Sequence, residues 1–191
     1  MRIRRKGHGQ AFSSKDFLDI GSRASVDHAL STLTRSGVIR RVTRGIYDYP
    51  KVSPELGGQL SPDYDSVAQA IARKNGVRIE PSGAWAANLL GLSTQVPAKI
   101  VYLTNGTSRE YWINGQKIAF QRVGPKELLP KPGPSTLVVQ SLRHLGQDRI
   151  DDTVIRQLRD RLSPSDCKAL LRDARYTADW IFEVLKKIVA D

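Results

Sequence analysis

Most of the excess positive charge that could bind a phosphate or read a base lies in the first 54 positions of this 191-residue chain. Residues 1–54 contain 11 lysines and arginines but four acidic residues, a net charge of +7, whereas residues 55–191 contribute only +4. Such an excess can bind nucleic acid, an anionic membrane or an acidic partner. Its concentration in one segment favours nucleic acid, and the candidate contacts are Ser22, Arg23, Ser25, His28, Arg35, Arg40, Arg41 and Arg44.

These candidates differ in the chemistry that they offer. A guanidinium can hydrogen-bond a guanine through two donors, and Arg23 is the candidate for that contact. The three arginines between positions 40 and 44 are candidates for phosphate contacts. Ser22 is better explained as a helix cap than as a base reader, since a serine hydroxyl accepts from the amides at a helix start. His28 can face a phosphate, a base edge or only water.

Residues with catalytic chemistry are present, but their spacing does not favour an enzyme. Asp63 and Asp65 have the spacing of nucleotidyltransferase metal ligands, yet the Gly21-Ser22 pair that would accompany them lies about 40 residues upstream. Acidic residues at a helix start explain the pair better. Cys167 has no histidine near it in sequence to activate its thiol. One cysteine and three scattered histidines cannot supply the usual four ligands of structural zinc. From these patterns together we expect no enzyme, metal or cofactor.

Two helices separated by a tight turn would position the first candidates. Residues 13–19 favour a short helix that ends before Gly21. Ser22 can cap a second helix, which Gly37 ends. The apolar residues of that second helix recur at helical spacing, namely Val26, Ala29, Leu30 and Leu33.

A hairpin follows these helices. Two β-prone runs, residues 38–42 and 46–49, flank the glycine-containing turn 43–45. Helix, turn, helix and basic hairpin is the order of a winged helix-turn-helix, which places its second helix in the major groove. We therefore predict a DNA-binding domain over residues 1–54.

A second domain is expected over residues 60–191, after a linker at 51–61 that is rich in proline and glycine. Its β-prone segments 99–104, 109–113 and 117–123 favour a small antiparallel meander, with a type I′ turn at Asn114-Gly115. Amphipathic stripes then indicate a C-terminal helical bundle. The predicted fold class is α+β: an N-terminal winged helix-turn-helix followed by a mixed α/β domain.

The distribution of apolar residues indicates where in the cell the protein is expected. The chain has no apolar run of the roughly 18 residues that a membrane span needs. The basic N-terminus is not followed by the apolar core of a signal peptide. We therefore expect a cytoplasmic protein with no membrane partner.

Two stretches together resemble the AbiEi-like antitoxins, transcriptional regulators of type IV toxin-antitoxin systems. The N-terminal stretch runs from Asp16 through Gly21-Ser22-Arg23 to Arg44-Gly45-Ile46-Tyr47-Asp48-Tyr49-Pro50. The second comprises Pro81-Ser82-Gly83-Ala84, Asn88-Leu89-Leu90-Gly91-Leu92-Ser93-Thr94-Gln95-Val96-Pro97 and Tyr102-Leu103-Thr104. The chain departs from that family ahead of residues 4–12, where relatives carry a longer first helix.

The resemblance implies two roles. The winged helix would bind double-stranded operator DNA of its own operon, and the C-terminal domain would counteract a nucleotidyltransferase-like toxin without an obligatory stable complex. Two other functions remain open from the sequence: a stand-alone DNA-binding regulator, and an RNA-binding module that stacks bases on Tyr111 and Trp112, neither with an antitoxin role.

Overall fold

The computed structural model describes residues 2–124, 127–128 and 133–190 and shows an α+β protein, as predicted. The chain divides into two compact units. Unit 1 comprises Met1–Arg78 with Trp112–Ile118, and unit 2 comprises Ile79–Tyr111 with Ala119–Asp191. The division after Arg78 differs from the expected boundary in the 51–61 segment.

Unit 1 begins with a five-residue helix and combines three helices with two small sheets. Its elements are α1 (Arg2–Lys6), β1 (Ala11–Phe12), a 3-10 helix (Ser14–Phe17), α2 (Arg23–Arg35), β2 (Arg40–Thr43), β3 (Ile46–Asp48), β4 (Val52–Ser53), β5 (Gly58–Gln59) and α3 (Tyr64–Asn75). One antiparallel sheet has the order β1-β3-β2, and β4 pairs with β5 as a separate hairpin. The expected linker is thus partly a hairpin.

The short helix expected at residues 13–19 is a single 3-10 turn. Oδ2 of Asp16 accepts from the backbone amide of Ser13 at 2.8 Å and from the Ser13 hydroxyl at 3.1 Å. This reciprocal cap fixes the start of the turn but adds no further helical residues. The helix expected after Ser22 is confirmed as α2, and Gly37 follows it with φ +71°, a conformation that favours glycine.

The core of unit 1 lies between the first helical elements and the hairpin. Phe12 and Phe17 meet edge to face with ring centroids 5.4 Å apart. The buried apolar residues of this core are Ile3, Phe12, Phe17, Val26, Leu30 and Ile39. Val26 and Leu30 orient α2, because they place the opposite side of the helix in water.

Helix α3 belongs to unit 1 because it completes the edge of the three-stranded sheet. The amide of Ala11 donates to the Ser66 hydroxyl at 2.7 Å, and Nη2 of Arg73 donates to the Ala11 carbonyl at 3.1 Å. Backbone groups at a sheet edge need such partners when water is excluded. The unit therefore extends beyond position 54 to include α3.

Unit 2 combines most of a four-stranded sheet with the C-terminal helices. Its elements are β6 (Ile79–Pro81), α4 (Gly83–Leu89), β7 (Lys99–Thr104), β8 (Arg109–Ile113), β9 (Gln116–Arg122), α5 (Pro134–Leu145), a 3-10 turn (Gln147–Arg149), α6 (Asp152–Arg161), α7 (Pro164–Asp173) and α8 (Asp179–Val189). The strand order is β6-β7-β9-β8, so β9 lies between β7 and β8 and the expected meander β7-β8-β9 is wrong. Residues Trp112–Ile118 of the β8–β9 hairpin belong to unit 1.

Two predictions for this region are confirmed. Asn114 and Gly115 connect β8 and β9 with φ values of +48° and +79°, as a type I′ turn requires. The predicted stripes of the C-terminal helices form one core, which includes Val138, Leu142, Leu158, Leu170, Ile181 and Leu185. Within the described residues, no helix is long and apolar enough to cross a membrane.

Candidate nucleic-acid interface

The outward side of α2 is a row of small and polar residues. Ala24, His28, Ser31 and Arg35 recur at helical spacing opposite the buried Val26 and Leu30, and all four are exposed. At 1.5 Å per residue, this 13-residue helix is about 20 Å long. A helix of this length with mostly polar outward side chains can face a polar partner along several residues.

The start of α2 is organised by two of the predicted contact residues. The Ser22 hydroxyl accepts from the amide of Ser25 at 3.2 Å, and the two hydroxyls lie 2.9 Å apart. Ser22 is therefore the N-cap of the helix, the role that the sequence favoured for it. Ser25 shares that cap, so both hydroxyls already serve the helix start.

Arg23 is held by an ion pair on the surface of the same helix. Its Nε lies 2.7 Å from Oδ2 of Asp27, and the two side chains are 60% and 49% exposed. A solvent-exposed pair of this kind contributes about 0–1 kcal/mol. The pair orients Arg23, and because it is weak, a phosphate or a base edge can replace Asp27 as the partner of Arg23.

Arg40 is placed differently from the expectation that it contacts phosphate. Its Nη2 and Nε donate to the two carboxylate oxygens of Asp48 at 2.6 and 3.1 Å, and Nη1 donates to the Leu60 carbonyl at 3.1 Å. The Asp48 side chain is 1% exposed. A buried carboxylate needs a paired cation. Arg40 therefore uses its donors within the protein, and its contact with DNA stays a prediction.

Arg41 and Arg44 remain on the outside of the hairpin. Arg41 is exposed on β2, where its cross-strand partner is Tyr47. Arg44 is exposed in the two-residue turn between β2 and β3, which Gly45 completes with φ +73°. Both side chains can therefore reach a partner without loss of a buried ion pair.

Lys74, at the end of α3, lies beside this turn. Its Nζ donates to the Arg44 carbonyl at 2.8 Å. Burial lowers the pKa of Lys74 below its ordinary value, and positive charges lower it further, in the order Arg44, Arg23, Lys15 and Arg41. Like charges within electrostatic reach of one ammonium define a basic cluster, which consists of Lys15, Arg23, Arg41, Arg44 and Lys74.

The structure thus groups three of the eight predicted residues in the basic cluster: Arg23, Arg41 and Arg44. His28 and Arg35 lie along the outward row of α2, and Arg35 is about 18 Å from Arg23 along the helix axis. Lys15 and Lys74 were missed. Arg73-Lys74 at a helix C-terminus has the common pattern of cations that complement the helix dipole, so the sequence carried no sign of its proximity to Arg44.

Among the other residues considered for chemistry, Asp63 and Tyr111 have structural roles. Asp63 caps α3, where its Oδ1 accepts from the Ser66 amide at 2.9 Å. Tyr111 packs edge to face on Phe120 at 5.3 Å, whereas Trp112 is 66% exposed with the Lys117 ammonium 5.8 Å above its ring. In the described part of the chain, no group of three or more histidine, cysteine, aspartate or glutamate side chains is arranged to hold a metal ion.

The fold and the charges define an α+β protein whose N-terminal unit carries a basic cluster beside a helix and a hairpin. The chain belongs to DUF6088, a family of unknown function, whose model matches residues 1–170. No curated protein matches the chain.

Proposed function

We propose that this protein is a DNA-binding transcriptional autoregulator and antitoxin. Unit 1 would bind operator DNA as a winged helix, with α2 in the major groove and the β2–β3 hairpin as the wing. Unit 2 would counteract a nucleotidyltransferase-like toxin encoded beside it, without an obligatory stable complex. The observation that carries the DNA-binding part is the basic cluster at the junction of α2 and the hairpin.

The topology of unit 1 supports the winged helix. Its first elements follow the order helix, strand, helical turn, helix, strand, strand, and its three-stranded sheet has the order β1-β3-β2. A winged helix has this order, with the first strand paired to the last. The 3-10 turn Ser14–Phe17 takes the place of the helix that precedes the recognition helix.

The charge distribution supports duplex DNA as the partner. Arg41 and Arg44 lie on the hairpin and Arg23 lies at the first turn of α2, so phosphate contacts and base contacts can be made together. The outward row of α2 offers His28, Ser31 and Arg35 to the groove. Double-stranded RNA fits this arrangement less well, because its deep and narrow major groove does not admit a helix.

The antitoxin role rests on the resemblance of residues 81–104 to AbiEi-like antitoxins. In that stretch, Nδ2 of Asn88 donates to the carbonyls of Ser93 and Gln95, both at 3.1 Å. These bonds fix the loop that follows α4, and Val96 in that loop is 55% exposed. An ordered exposed loop on a packed scaffold is suited to recognition.

The test is a two-part assay in cells. The first part measures repression of a reporter under the promoter of the gene, and the second measures growth when the adjacent nucleotidyltransferase-like gene is induced. We expect wild-type protein to repress and to rescue, and the double variant Arg41→Ala/Arg44→Ala to rescue without repressing. Repression without any rescue would indicate a stand-alone regulator. The absence of both repression and rescue would refute the proposal.

A further inference from the structure

The end of α3 reaches the turn of the β2–β3 hairpin through one lysine. Nζ of Lys74 donates to the carbonyl of Arg44 at 2.8 Å. A Cβ atom at position 45 would lie 2.7 Å from that Nζ, which is too close. The positive φ of Gly45 favours glycine there, whereas the Lys74 ammonium, at the end of a flexible side chain, would have to move for a Cβ atom.

The ammonium of Lys74 is only partly used by this contact. A lysine ammonium has three donors, and the Arg44 carbonyl accepts one of them. Two donors can therefore serve a further acceptor. The side chain is partly exposed, so an acceptor from outside the protein can reach it.

The surroundings of Lys74 favour an anionic acceptor. The charges that lower its pKa are cations on three elements: Lys15 in the 3-10 turn, Arg23 on α2, and Arg41 and Arg44 on the hairpin. Acidic groups in this region have partners of their own, since Asp27 pairs with Arg23 and Asp16 pairs with Arg73. After burial, which is the largest cause, these four cations lower the pKa of Lys74 further, as positive neighbours do.

We propose that Lys74 and Arg44 together bind a backbone phosphate of duplex DNA beside the wing, on a surface that Lys15, Arg23 and Arg41 make positive. The inference rests on the proposed DNA-binding function and extends it to α3, which lies outside the segment 1–54. A bound phosphate relieves the mutual repulsion of the five cations. Its oxygens also accept from the donors that Arg44 leaves on Lys74.

The test compares two variants in the full-length protein. Lys74→Met keeps the length of the side chain but removes its charge, and Lys74→Arg keeps the charge. Affinity for a promoter duplex is measured by fluorescence anisotropy at several salt concentrations. We expect Lys74→Met to reduce the slope of log K against log salt by about 0.9, the value for one phosphate contact, and Lys74→Arg to retain the wild-type slope.

The matched control is Lys168→Met, which removes the charge of an exposed lysine on α7 of unit 2 and should leave the slope unchanged. A second readout is the pKa of Lys74 from the NMR shift of its Cε, which should rise when the duplex is added. Thermal unfolding shows whether each variant is folded.

Two results would overturn this inference but leave the proposed DNA-binding function intact. Wild-type protein could bind DNA while Lys74→Met keeps the wild-type slope and affinity. Alternatively, Lys74→Met could lose affinity at an unchanged slope, and Lys74 would then only anchor the Arg44 turn. Failure of the wild-type protein to bind any duplex would refute the proposed function as well, so the two failures are distinguishable.

Discussion

The inside and the outside of the β2–β3 hairpin use neighbouring arginines for opposite purposes. Arg40 makes two hydrogen bonds to Asp48 and one to the Leu60 carbonyl, and it neutralises Asp48, whose side chain is 1% exposed. Arg41 is exposed and belongs to the basic cluster. Two residues of the same type at adjacent positions therefore stabilise the fold in one case and offer charge to a partner in the other.

A β-bulge decides which arginine faces Asp48. The turn sets Thr43 opposite Ile46, and a regular ladder from there would place Arg41 opposite Asp48. The register instead shifts between Arg41 and Thr43, so that Arg40 is opposite Asp48 and Arg41 is opposite Tyr47. Since directly opposite residues lie on the same side of a sheet, one inserted residue exchanges the roles of the two arginines.

The largest expected effect is on stability when the inner arginine is removed. Arg40→Ala leaves the Asp48 carboxylate buried without its cation, which should cost about 3–5 kcal/mol of unfolding free energy. Urea denaturation measures the loss. Arg41→Ala is the matched control and should change stability by less than about 0.5 kcal/mol. Similar losses in both variants would show that the two arginines are equivalent.

The second expected effect is on base preference. If Arg23 exchanges Asp27 for a guanine, Arg23→Ala should cost about 1–3 kcal/mol on the specific operator and relax the preference at one base pair. Competition with single-base variants of the operator measures this change. Equal losses on operator and random DNA would make Arg23 a phosphate contact.

The third expected effect concerns the exposed arginines of the hairpin and the salt dependence of DNA binding. Arg41→Ala and Arg44→Ala should each flatten the dependence of log K on log salt by about 0.9, because each removes one phosphate contact. Their unfolding free energies should stay near the wild-type value. An unchanged salt slope in the double variant would remove the hairpin from the interface.

The smallest expected effect is at acid pH. Burial would raise the pKa of Asp16, but hydrogen bonds from Ser13 and Arg73 and the Arg73 charge outweigh it, so the pKa is lowered. Asp16 then stabilises the fold above the ordinary carboxyl pKa of about 3.9, and this contribution is lost as pH falls through the lower folded-state pKa. Asp16→Asn should weaken the protein at neutral pH and reduce its further loss below about pH 4. Parallel stability-pH curves for the two proteins would contradict this.

Local patterns predicted the elements that depend on local interactions. The apolar spacing around Val26 and Leu30, with Ser22 and Gly37 at the ends, was sufficient to predict α2. The hairpin and the Asn114-Gly115 turn followed from turn residues in the same way. Exposure of the α2 candidates followed from their position opposite the apolar stripe.

Other features depended on contacts between distant residues and could not be predicted. The bonds from Ala11 to Ser66 and Arg73 span 55 and 62 positions, and they extend unit 1 to α3. The proximity of Lys74 to Arg44 spans 30 positions. Sequence periodicity carries no information on such pairs, and the bulge that directs Arg40 inward has no composition signal either.

The central claim is that the protein binds duplex DNA through the basic cluster of unit 1. The most direct measurement is anisotropy of a labelled promoter duplex with wild-type protein and with Arg41→Ala/Arg44→Ala, beside a random duplex and an RNA duplex of equal length. The account predicts tightest binding to the promoter, a steep salt dependence, and a shallower salt dependence for the double variant. Equal binding of all three duplexes, with identical salt slopes for both proteins, would contradict it.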